Sequence, residues 1–357
     1  MQALRIYAGP TAFKHLSANG LQPTDIGVVP GAAGGPKGLI LGPLDRFIFG
    51  DWLAQASHNI HLVGASIGAW RMATACLNDP IAGFKQLEHD YIRQNYALKP
   101  PEKFPSAATV SEDFGRNLAS FYAGKVASVL GHSRYQLHIV TSRGRHILSR
   151  EHKVATPLGY LGAYLSNGIA RKAMGAWLER VVFSTAGSSL PFAANDYPTR
   201  QVSLSLENFN PALQASCSIP FMLKAVTGIP GAPPGAYWDG GITDYHLHLN
   251  YPAVSKKLVL YPHFQKAVVP GWLDKSLKWR HKATPFLDNM TLLAPNPDWV
   301  KTLPNGKLPD RSDFAHYGTD LQARVKAWST AASASEQLAN EWQQWLQNPD
   351  MRAVEQL

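Results

Sequence analysis

Short runs of β-branched and other apolar residues recur along this chain, separated by longer segments with helical patterns. This alternation is typical of an α/β fold, in which a mostly parallel central sheet is flanked by helices. Leu39–Ala54 is long enough for a helix that crosses between two strands, and a buried helix is expected after Ser66. The predicted strands are Ile26–Val29, Ile60–Val63, Leu137–Thr141, Val181–Ser184, Gln201–Leu206 and Leu258–Tyr261.

The composition is that of a globular protein and not of a disordered one. Of 357 residues, 45% are apolar and 17% are charged, which is enough for a substantial core. The two cysteines, Cys76 and Cys217, form neither a disulfide framework nor a zinc-binding pattern, so a reducing compartment is expected. The first residues show no signal-peptide pattern, and no apolar run reaches the roughly 18 residues of a transmembrane helix. We therefore expect a cytoplasmic protein.

The proline-rich segment Pro295–Gly318 marks a boundary in the chain. After it, Thr319 and Gln322 fit a capping box at the start of a helical pattern that runs through most of the remaining residues. We therefore predict an α/β domain over residues 1–318 and a C-terminal helical extension over residues 319–357 that packs on it. Further loops rich in proline and glycine are predicted at Lys99–Pro105 and Gly228–Gly235.

A glycine-flanked serine directly follows the second predicted strand. It lies in the motif Gly64-Ala65-Ser66-Ile67-Gly68, whose GxSxG spacing between a strand and a helix is typical of a nucleophile elbow. Glycines on both sides are needed where the backbone turns sharply, and the turn presents the Ser66 hydroxyl at the positive end of a helix. The alternative interpretation is a tight turn with a buried serine.

A second glycine-rich turn follows the first predicted strand. It reads Gly31-Ala32-Ala33-Gly34-Gly35-Pro36-Lys37-Gly38, and its backbone N–H groups can turn towards an anion beside the positive charge of Lys37. Pro36 and Gly38 argue against a P-loop, and Ala33 argues against a dinucleotide fingerprint. The turn therefore predicts a cradle for an oxyanion or a phosphate group, with an ordinary strand-to-helix turn as the alternative.

An aspartate followed by two glycines, Asp239-Gly240-Gly241, comes after the Gly228–Gly235 loop. The Asp239 side chain can point into a site because its small neighbours do not compete for space, although the motif also suits a plain turn. His246 and His248 follow in the alternating pattern of one strand face, and a structural or solvent-facing pair is favoured over a triad partner or metal ligands. Neither a metal nor another cofactor is predicted.

Together these blocks resemble the patatin-like phospholipase family. The loop Gly34–Gly38, the elbow Gly64–Gly68 and the Asp239–Gly241 motif stand in the family's order, and Ala215–Phe221 is similar to its Ala-Ser-x-x-x-Pro segment. The resemblance spans residues 26–243. The chain departs from the family at Ala33, where a first glycine is usual. It also departs at Asp244-Tyr245-His246, where an Asn-x-Pro-like segment is common.

The resemblance implies a patatin-like three-layer fold and an acyl hydrolase with a Ser–Asp dyad and no catalytic histidine. Ser66 would be the nucleophile and Asp239 the general base. The oxyanion hole would be formed by the Gly34 and Gly35 amides, within a loop that also contains Lys37 and Gly38. The implied activity is that of a lipid acyl hydrolase of phospholipase A or lysophospholipase type, which cleaves carboxylic ester bonds through an acyl-serine.

The excess of positive charge also bears on the partners. Lys and Arg number 34 against 25 Asp and Glu, a net charge of +9 that favours anionic partners. The segment Pro270–Lys282, with Trp272 and Trp279 among its lysines, predicts an amphipathic helix in peripheral contact with an anionic membrane, or a surface helix packed on the body. The apolar Leu158–Ile169 is expected to line an acyl-chain pocket or to be core. No nucleic-acid-binding motif is present, so no such partner is expected.

Two other classes of function remain open from the sequence. The first is a soluble carboxylesterase, thioesterase or acyltransferase that uses the same dyad on an ester outside a membrane. The second is a catalytically idle protein that binds lipid or anions. In the main interpretation the substrate is a phospholipid or another lipid ester; the oligomeric state is not predicted.

Overall fold

The structure, a computed structural model, describes residues 1–96 and 105–357. Except for Pro105, the loop predicted at Lys99–Pro105 lies outside these residues. The strands are β1 (Leu4–Ala8), β2 (Ile26–Gly31), β3 (Ile60–Ala65), β4 (Tyr135–Gly144), β5 (Leu178–Ser184), β6 (Thr199–Ser203), β7 (Tyr237–Asp239), β8 (Leu258–Pro262), β9 (Met290–Pro295) and β10 (Val354–Gln356). The α-helices are α1 (Pro10–Asn19), α2 (Gly42–Phe47), α3 (Ile67–Ala75), α4 (Pro80–Arg93), α5 (Ala107–Phe121), α6 (Val126–Leu130), α7 (Ala155–Ile169), α8 (Phe209–Cys217), α9 (Gly241–Asp244), α10 (Pro297–Val300), α11 (Ser312–Tyr317), α12 (Leu321–Ala334) and α13 (Glu336–Gln347).

The strands of the described residues form one ten-stranded sheet, in the order β10-β1-β9-β8-β2-β3-β4-β5-β6, with β7 paired to β4. From β9 to β4 neighbouring strands are parallel, whereas β1 runs antiparallel to β9, and β5 and β7 run antiparallel to β4. The prediction of an α/β fold with a mostly parallel central sheet flanked by helices is therefore confirmed. All six predicted strands have a counterpart, although Leu204–Leu206 of the predicted Gln201–Leu206 lie beyond the end of β6. Gly31 at the end of β2 is in register with Gly64 of β3, so the turns that follow these strands lie at the same edge of the sheet.

Helix α3 is the buried helix predicted after Ser66. All of its residues are buried, because it packs against β2 and β3 on one side and contacts α4 and α8 on others. Its Trp70 ring meets Phe114 and Phe121 of α5 edge to face, with 5.8 and 5.6 Å between ring centroids. The low polarity of this segment thus reflects a helix that lies at the centre of the molecule.

The prediction of a single crossover helix over Leu39–Ala54 is wrong, because the segment consists of several short helical pieces. A 3-10 helix over Gly35–Leu41 leads into α2, which continues as a π-helix over Ile48–Trp52 and ends in a 3-10 turn. Pro43 stands in the first turn of α2, where its missing N–H leaves no hydrogen bond unmade. The proline therefore begins a new helix inside the predicted segment.

Four strands have no counterpart in the prediction. β7 and β10 have three residues each, too few to show an alternating or continuous apolar pattern. β9 is fully buried but ends at Pro295, which the sequence assigns to a loop, and β1 contains a charged residue, Arg5. These strands are defined by their neighbours in the sheet more than by their own residues.

The segment Pro270–Lys282 is not the amphipathic helix that its sequence predicts. It contains two short 3-10 turns, Trp272–Asp274 and Lys278–His281. Asp274 ends the first turn, and its fully buried carboxylate accepts hydrogen bonds of 2.8 Å from Arg280 Nη1 and 2.7 Å from Asn167 Nδ2 of α7. The helix expected over Pro270–Lys282 is therefore wrong.

The apolar segment Leu158–Ile169 lies in α7, and its two sides differ. Tyr160 is buried, whereas Leu158, Leu161 and Leu165 are more than half exposed. The interpretation of the segment as core is therefore wrong for this second side. No helix in the described parts of the chain has both the length and the apolar character needed to cross a membrane.

The C-terminal helical pattern is present as two helices. Asp320, and not Thr319, caps α12, because its carboxylate accepts a hydrogen bond of 2.9 Å from the Ala323 amide. The capping box predicted from Thr319 and Gln322 is therefore wrong. α12 ends at Ala334, and α13 begins at Glu336 after the single residue Ser335.

The last residues of the chain contact the sheet directly. β10 pairs parallel to β1, and Glu341 of α13 accepts hydrogen bonds from the backbone amides of Ala3 and Leu4, at 3.0 and 2.8 Å. Trp342 of α13 is fully buried, 6.3 Å from the Trp52 ring. The division between residues 1–318 and 319–357 stays a prediction. How strongly the C-terminal residues pack on the rest can be measured at Trp342.

We expect Trp342→Ala to lower the free energy of unfolding by about 3–5 kcal/mol, because it removes a fully buried ring and leaves a cavity. The exposed neighbour Gln343→Ala should change it by less than about 0.5 kcal/mol. Urea unfolding followed by circular dichroism measures both. A cost at Trp342 no larger than that at Gln343 would show that residues 319–357 are only loosely held to the sheet.

Candidate active site

Ser66 lies between β3 and α3, in a backbone conformation that is rare for a residue with a side chain. Its φ is 56° and its ψ is −130°. The Ser66 amide donates a hydrogen bond of 3.0 Å to Ser216 Oγ, and that hydroxyl donates one of 2.7 Å to the carbonyl oxygen of Val140 in β4. The strained turn is therefore held in place by a bond to the sheet.

The two glycines of the elbow allow backbone to touch backbone. A Cβ on Gly68 would lie 1.8 Å from the carbonyl oxygen of Gly31, and a Cβ on Gly64 would lie 2.4 Å from the Cα of Ala69. Neither position has room for a side chain. The glycines predicted on both sides of Ser66 are thus required by the packing of β2, β3 and α3.

The Ser66 hydroxyl and the Asp239 carboxylate, predicted from separate motifs, lie in direct contact. Ser66 Oγ donates a hydrogen bond of 2.6 Å to Asp239 Oδ2, and the Gly241 amide donates one of 2.7 Å to Asp239 Oδ1. Both Ser66 and Asp239 are buried. Burial raises the pKa of the Asp239 carboxyl, against the opposing effects of the Ser66 bond, the nearby Arg311 charge and the Gly241 amide.

The Asp239 motif is fixed by the sheet and by close backbone contacts. Asp239 pairs with Thr141 of β4. A Cβ on Gly240 would lie 2.0 Å from the carbonyl oxygen of Val140, and one on Gly241 would lie 2.6 Å from the Cβ of Ala33. Both glycines therefore let the chain turn tightly against β4 and the loop after β2, as the sequence predicts for small neighbours of the aspartate.

The segment Ala215–Phe221 positions both members of the pair. Besides holding the Ser66 amide through its side chain, Ser216 accepts a hydrogen bond of 3.1 Å from the Gly240 amide through its carbonyl oxygen. The carbonyl oxygen of Ser218 accepts one of 2.9 Å from the Asp239 amide. One short segment thus sets the distance between the hydroxyl and the carboxylate.

The glycine-rich turn after β2 offers two backbone donors. Gly35 has φ +57°, and within residues 1–96 and 105–357 the amides of Gly34 and Gly35 donate to no acceptor. The amide of Ala33, in contrast, donates a hydrogen bond of 2.9 Å to the carbonyl oxygen of Tyr245. Gly38 packs against the elbow, where an added Cβ would lie 3.2 Å from Ile67 Cγ1. The Ala33 donor is therefore already occupied.

Three cations surround this turn, and of these the sequence predicts only Lys37 here. Arg311 Nε would lie 3.3 Å from a Cβ on Gly35. Lys37 Nζ stands 5.5 Å from the centroid of the Phe264 ring, and the edge of that ring lies 2.5 Å from the position of a Cβ on Gly34. Arg311 comes from the segment predicted as a boundary, so no local motif marks it.

The third cation is Lys275, whose Nζ lies 4.1 Å from the centroid of the Tyr245 ring. Partial burial, together with the charges of Arg311 and Lys37, lowers the pKa of Lys275 to about 8. In the described residues, nearby ion pairs are made by other cations, whereas Lys37, Lys275 and Arg311 make none. Their charges are therefore free to act on a group that enters the site.

Asp244 braces the backbone that follows the Asp239 motif. Its carboxylate accepts hydrogen bonds of 2.7 Å on each oxygen from Arg180 of β5, and one of 3.1 Å from the Tyr197 hydroxyl. Asp244 and Arg180 are both buried. A buried ion pair thus holds α9 to the sheet.

The histidine pair is buried and lies outside any strand, so the expectation of one strand face is wrong. His248 Nδ1 is 3.0 Å from the carbonyl oxygen of Val268, and its Nε2 is 2.7 Å from Thr284 Oγ1. Burial lowers the pKa of both His246 and His248, to about 4 for His248. These contacts favour the structural interpretation over the solvent-facing one. In the part of the chain that the structure describes, no group of three or more His, Cys, Asp or Glu side chains is arranged to hold a metal ion.

A comparison with models of known protein families finds no match to this chain, and a comparison with curated proteins finds none either.

The raised pKa of Asp239 predicts a pH-dependent effect on stability. The native state keeps this proton to a higher pH than the unfolded chain, whose Asp has a pKa of about 3.9. Unfolding therefore becomes easier as pH rises above that value, until the native carboxyl also ionises. We expect Asp239→Asn, which cannot ionise, to be more stable than the wild type at about pH 7 and to lose this advantage at about pH 4.

Thermal unfolding across that pH range measures the difference. The exposed Asp51→Asn serves as the matched control and should follow the wild type throughout. If the wild type instead becomes more stable relative to Asp239→Asn as the pH rises, the native carboxyl ionises more easily than an unfolded one, which would contradict the prediction.

Proposed function

We propose that this protein is a lipid acyl hydrolase of phospholipase A or lysophospholipase type, with Ser66 as nucleophile and Asp239 as general base. The observation that carries the proposal is the 2.6 Å hydrogen bond from Ser66 Oγ to Asp239 Oδ2 in a buried, strained elbow. A hydroxyl that already donates to a carboxylate can pass its proton directly as it attacks a carbonyl carbon. No separate proton carrier is needed between them.

In the first half-reaction, Ser66 Oγ forms a bond to the ester carbon while Asp239 takes the hydroxyl proton. The negative charge that develops on the carbonyl oxygen faces the amides of Gly34 and Gly35. The adduct then collapses, the bond to the alcohol breaks, and Asp239 returns its proton to the departing oxygen. The acyl group is left on Ser66.

In the second half-reaction, Asp239 takes a proton from a water molecule that attacks the acyl carbon. The bond to Ser66 Oγ breaks, the serine recovers its proton, and a carboxylic acid leaves. An ordinary aspartate with a pKa of about 3.9 is a weak base for both steps. Burial raises the pKa of Asp239 and so makes it a better proton acceptor.

The patatin-like three-layer fold is part of the proposal. Its support is the order of the four blocks along the chain and their meeting at one edge of the sheet. Gly34–Gly38 and Gly64–Gly68 follow parallel strands, while Ala215–Phe221 bonds to both Ser66 and the Asp239 motif. The proposed Ser–Asp mechanism requires that these separate blocks meet at one place.

The substrate in this proposal is a phospholipid or another anionic lipid ester, met by a cytoplasmic protein in peripheral contact with a membrane. Lys37, Lys275 and Arg311 stand around the turn that would bind the oxyanion, and they make no ion pair in the described residues. Cations without counterions favour an anionic substrate group through charge-assisted contacts. This observation favours phosphate-bearing lipids over neutral esters.

We expect Ser66→Ala to abolish labelling by a fluorophosphonate probe and to lower ester hydrolysis by at least about a thousandfold. Asp239→Asn keeps the size of the side chain but cannot take the proton, so hydrolysis should fall by a similar factor. The exposed Ser17→Ala is the control and should keep full activity. Turnover of lysophospholipid, phospholipid vesicles and a dissolved short-chain ester measures all three.

The outcomes separate the proposal from its alternatives. Equal turnover of the dissolved ester, with no gain at vesicles, would favour a soluble esterase with the same dyad. A wild type that binds lipid but neither hydrolyses it nor labels at Ser66 would favour the idle binding protein, for which the occupied Ala33 amide is the supporting feature.

We expect Arg311→Gln to lower kcat/KM about tenfold for a lysophospholipid with an anionic headgroup, because it removes one charge-assisted contact. For a monoacylglycerol with the same acyl chain, the change should be less than about threefold. Arg116→Gln, at an exposed arginine of α5, is the control. Equal losses on both substrates would mean that Arg311 acts on the structure of the loop and not on the charge of the substrate.

A further inference from the structure

In the described part of the structure, helix α7 carries an apolar face that points to solvent. No charged residue occurs among its 15 residues. Val154, just before the helix, is followed by Leu158, Leu161, Leu165 and Ile169 at intervals of three or four residues, so these side chains lie along one face. They are between 53% and 87% exposed. A contiguous, exposed apolar surface of this kind usually marks a site that binds another molecule or a membrane.

The inner side of α7 reaches β7, the strand that ends at Asp239. Tyr160 is buried, and its ring centroid lies 6.1 Å from that of Trp238, the residue before Asp239. On another side of Tyr160, the Phe221 ring lies 5.9 Å away and is itself exposed. The exposed apolar face is therefore the outer surface of a helix that packs beside β7.

Two exposed tryptophans stand beside this helix. Tyr164 of α7 bonds through its hydroxyl to Ser276 Oγ at 3.0 Å, which holds the segment Pro270–Lys282 alongside. Trp272 and Trp279 of this segment are 46% and 63% exposed. Although the segment is not the predicted helix, it still presents both indole rings to solvent next to the apolar face of α7.

Positive charge surrounds the same surface. Residues 150–172 and 270–282 together contain eight Lys or Arg and two acidic residues. Of the acids, Asp274 is fully buried, and Glu151 is paired with Lys224 at 3.0 Å. The exposed cations of these ranges are Arg150, Lys153, Lys172, Lys275, Lys278 and Lys282.

We propose that the exposed face of α7, together with Trp272 and Trp279, docks this protein on an anionic membrane surface. An uncharged helix with an apolar face, flanked by lysines and indole rings, suits the boundary between lipid headgroups and acyl chains. Lysine is depleted in protein–protein interfaces, so its abundance here favours lipid over a protein partner. The inference rests on the proposed function for its purpose, since docking would bring a lipid surface next to the strand that carries Asp239.

Vesicle binding tests the apolar part of this surface. The wild-type protein should sediment with vesicles of phosphatidylcholine and phosphatidylglycerol. The double variant Leu161→Gln/Leu165→Gln should bind them at least about tenfold less, because two exposed leucines can no longer enter the apolar layer. Leu206→Gln changes a leucine that is equally exposed elsewhere and should bind as the wild type does. Unchanged binding of the double variant would overturn the proposal.

The basic part is tested by a second pair. Lys153→Gln/Lys172→Gln should weaken binding to the mixed vesicles by more than about tenfold and should make it less dependent on salt. Lys14→Gln/Lys326→Gln, at exposed lysines on other helices, is the matched control. Equal losses in both pairs would mean that net charge alone drives binding, and would overturn the assignment to this face.

A second copy of the chain is the rival occupant of this face. A wild-type dimer that Leu161→Gln/Leu165→Gln converts to a monomer, with no change in vesicle binding, would assign the surface to self-association and overturn the proposal. Binding is measured without turnover, so the two proposals fail separately. Vesicle binding without hydrolysis would contradict only the proposed function, and hydrolysis of lipid without vesicle binding would contradict only the docking surface.

Discussion

The end of β2 and the first turn of α3 touch backbone to backbone, and the arrangement of the site depends on this contact. Gly31 and Gly68 leave no space between the two elements, since an added Cβ on Gly68 would lie 1.8 Å from the Gly31 carbonyl oxygen. The same approach brings the turn with Gly34 and Gly35 and the turn with Ser66 to one point of the sheet edge. A larger residue at either contact would separate the donors from the hydroxyl.

Buried carboxylates in this molecule differ in what surrounds them. Asp244 has an Arg180 nitrogen within 2.7 Å of each oxygen. Among the described residues, Asp239 instead accepts hydrogen bonds only from a hydroxyl and a backbone amide. Without a paired cation, the charged form of a buried carboxylate stays unfavourable. Such a carboxylate therefore accepts a proton readily.

The parts of the site that could be predicted from the sequence are those whose requirements are local. Ser66 and Asp239 are each marked by adjacent glycines, because a tight turn needs them within a few residues. Arg311 and Lys275 reach the site from distant segments, which the sequence assigns to a domain boundary and to a basic surface helix and not to this site. β7 and β10 are too short for a pattern. The helix expected over Pro270–Lys282 shows the opposite error, since the apolar spacing is regular but the segment forms only two short turns, with Asp274 buried against Asn167 of α7.

Strand β1 lies between β9 and β10, so both of its neighbours come from the far end of the chain. Ile6 pairs with Leu293 on one side and with Val354 on the other, which makes these among the most distant contacts in the sequence. Contacts of this separation form late, because a long loop must close before they stabilise anything. During synthesis, this region of the sheet therefore stays open until almost all of these residues have left the ribosome.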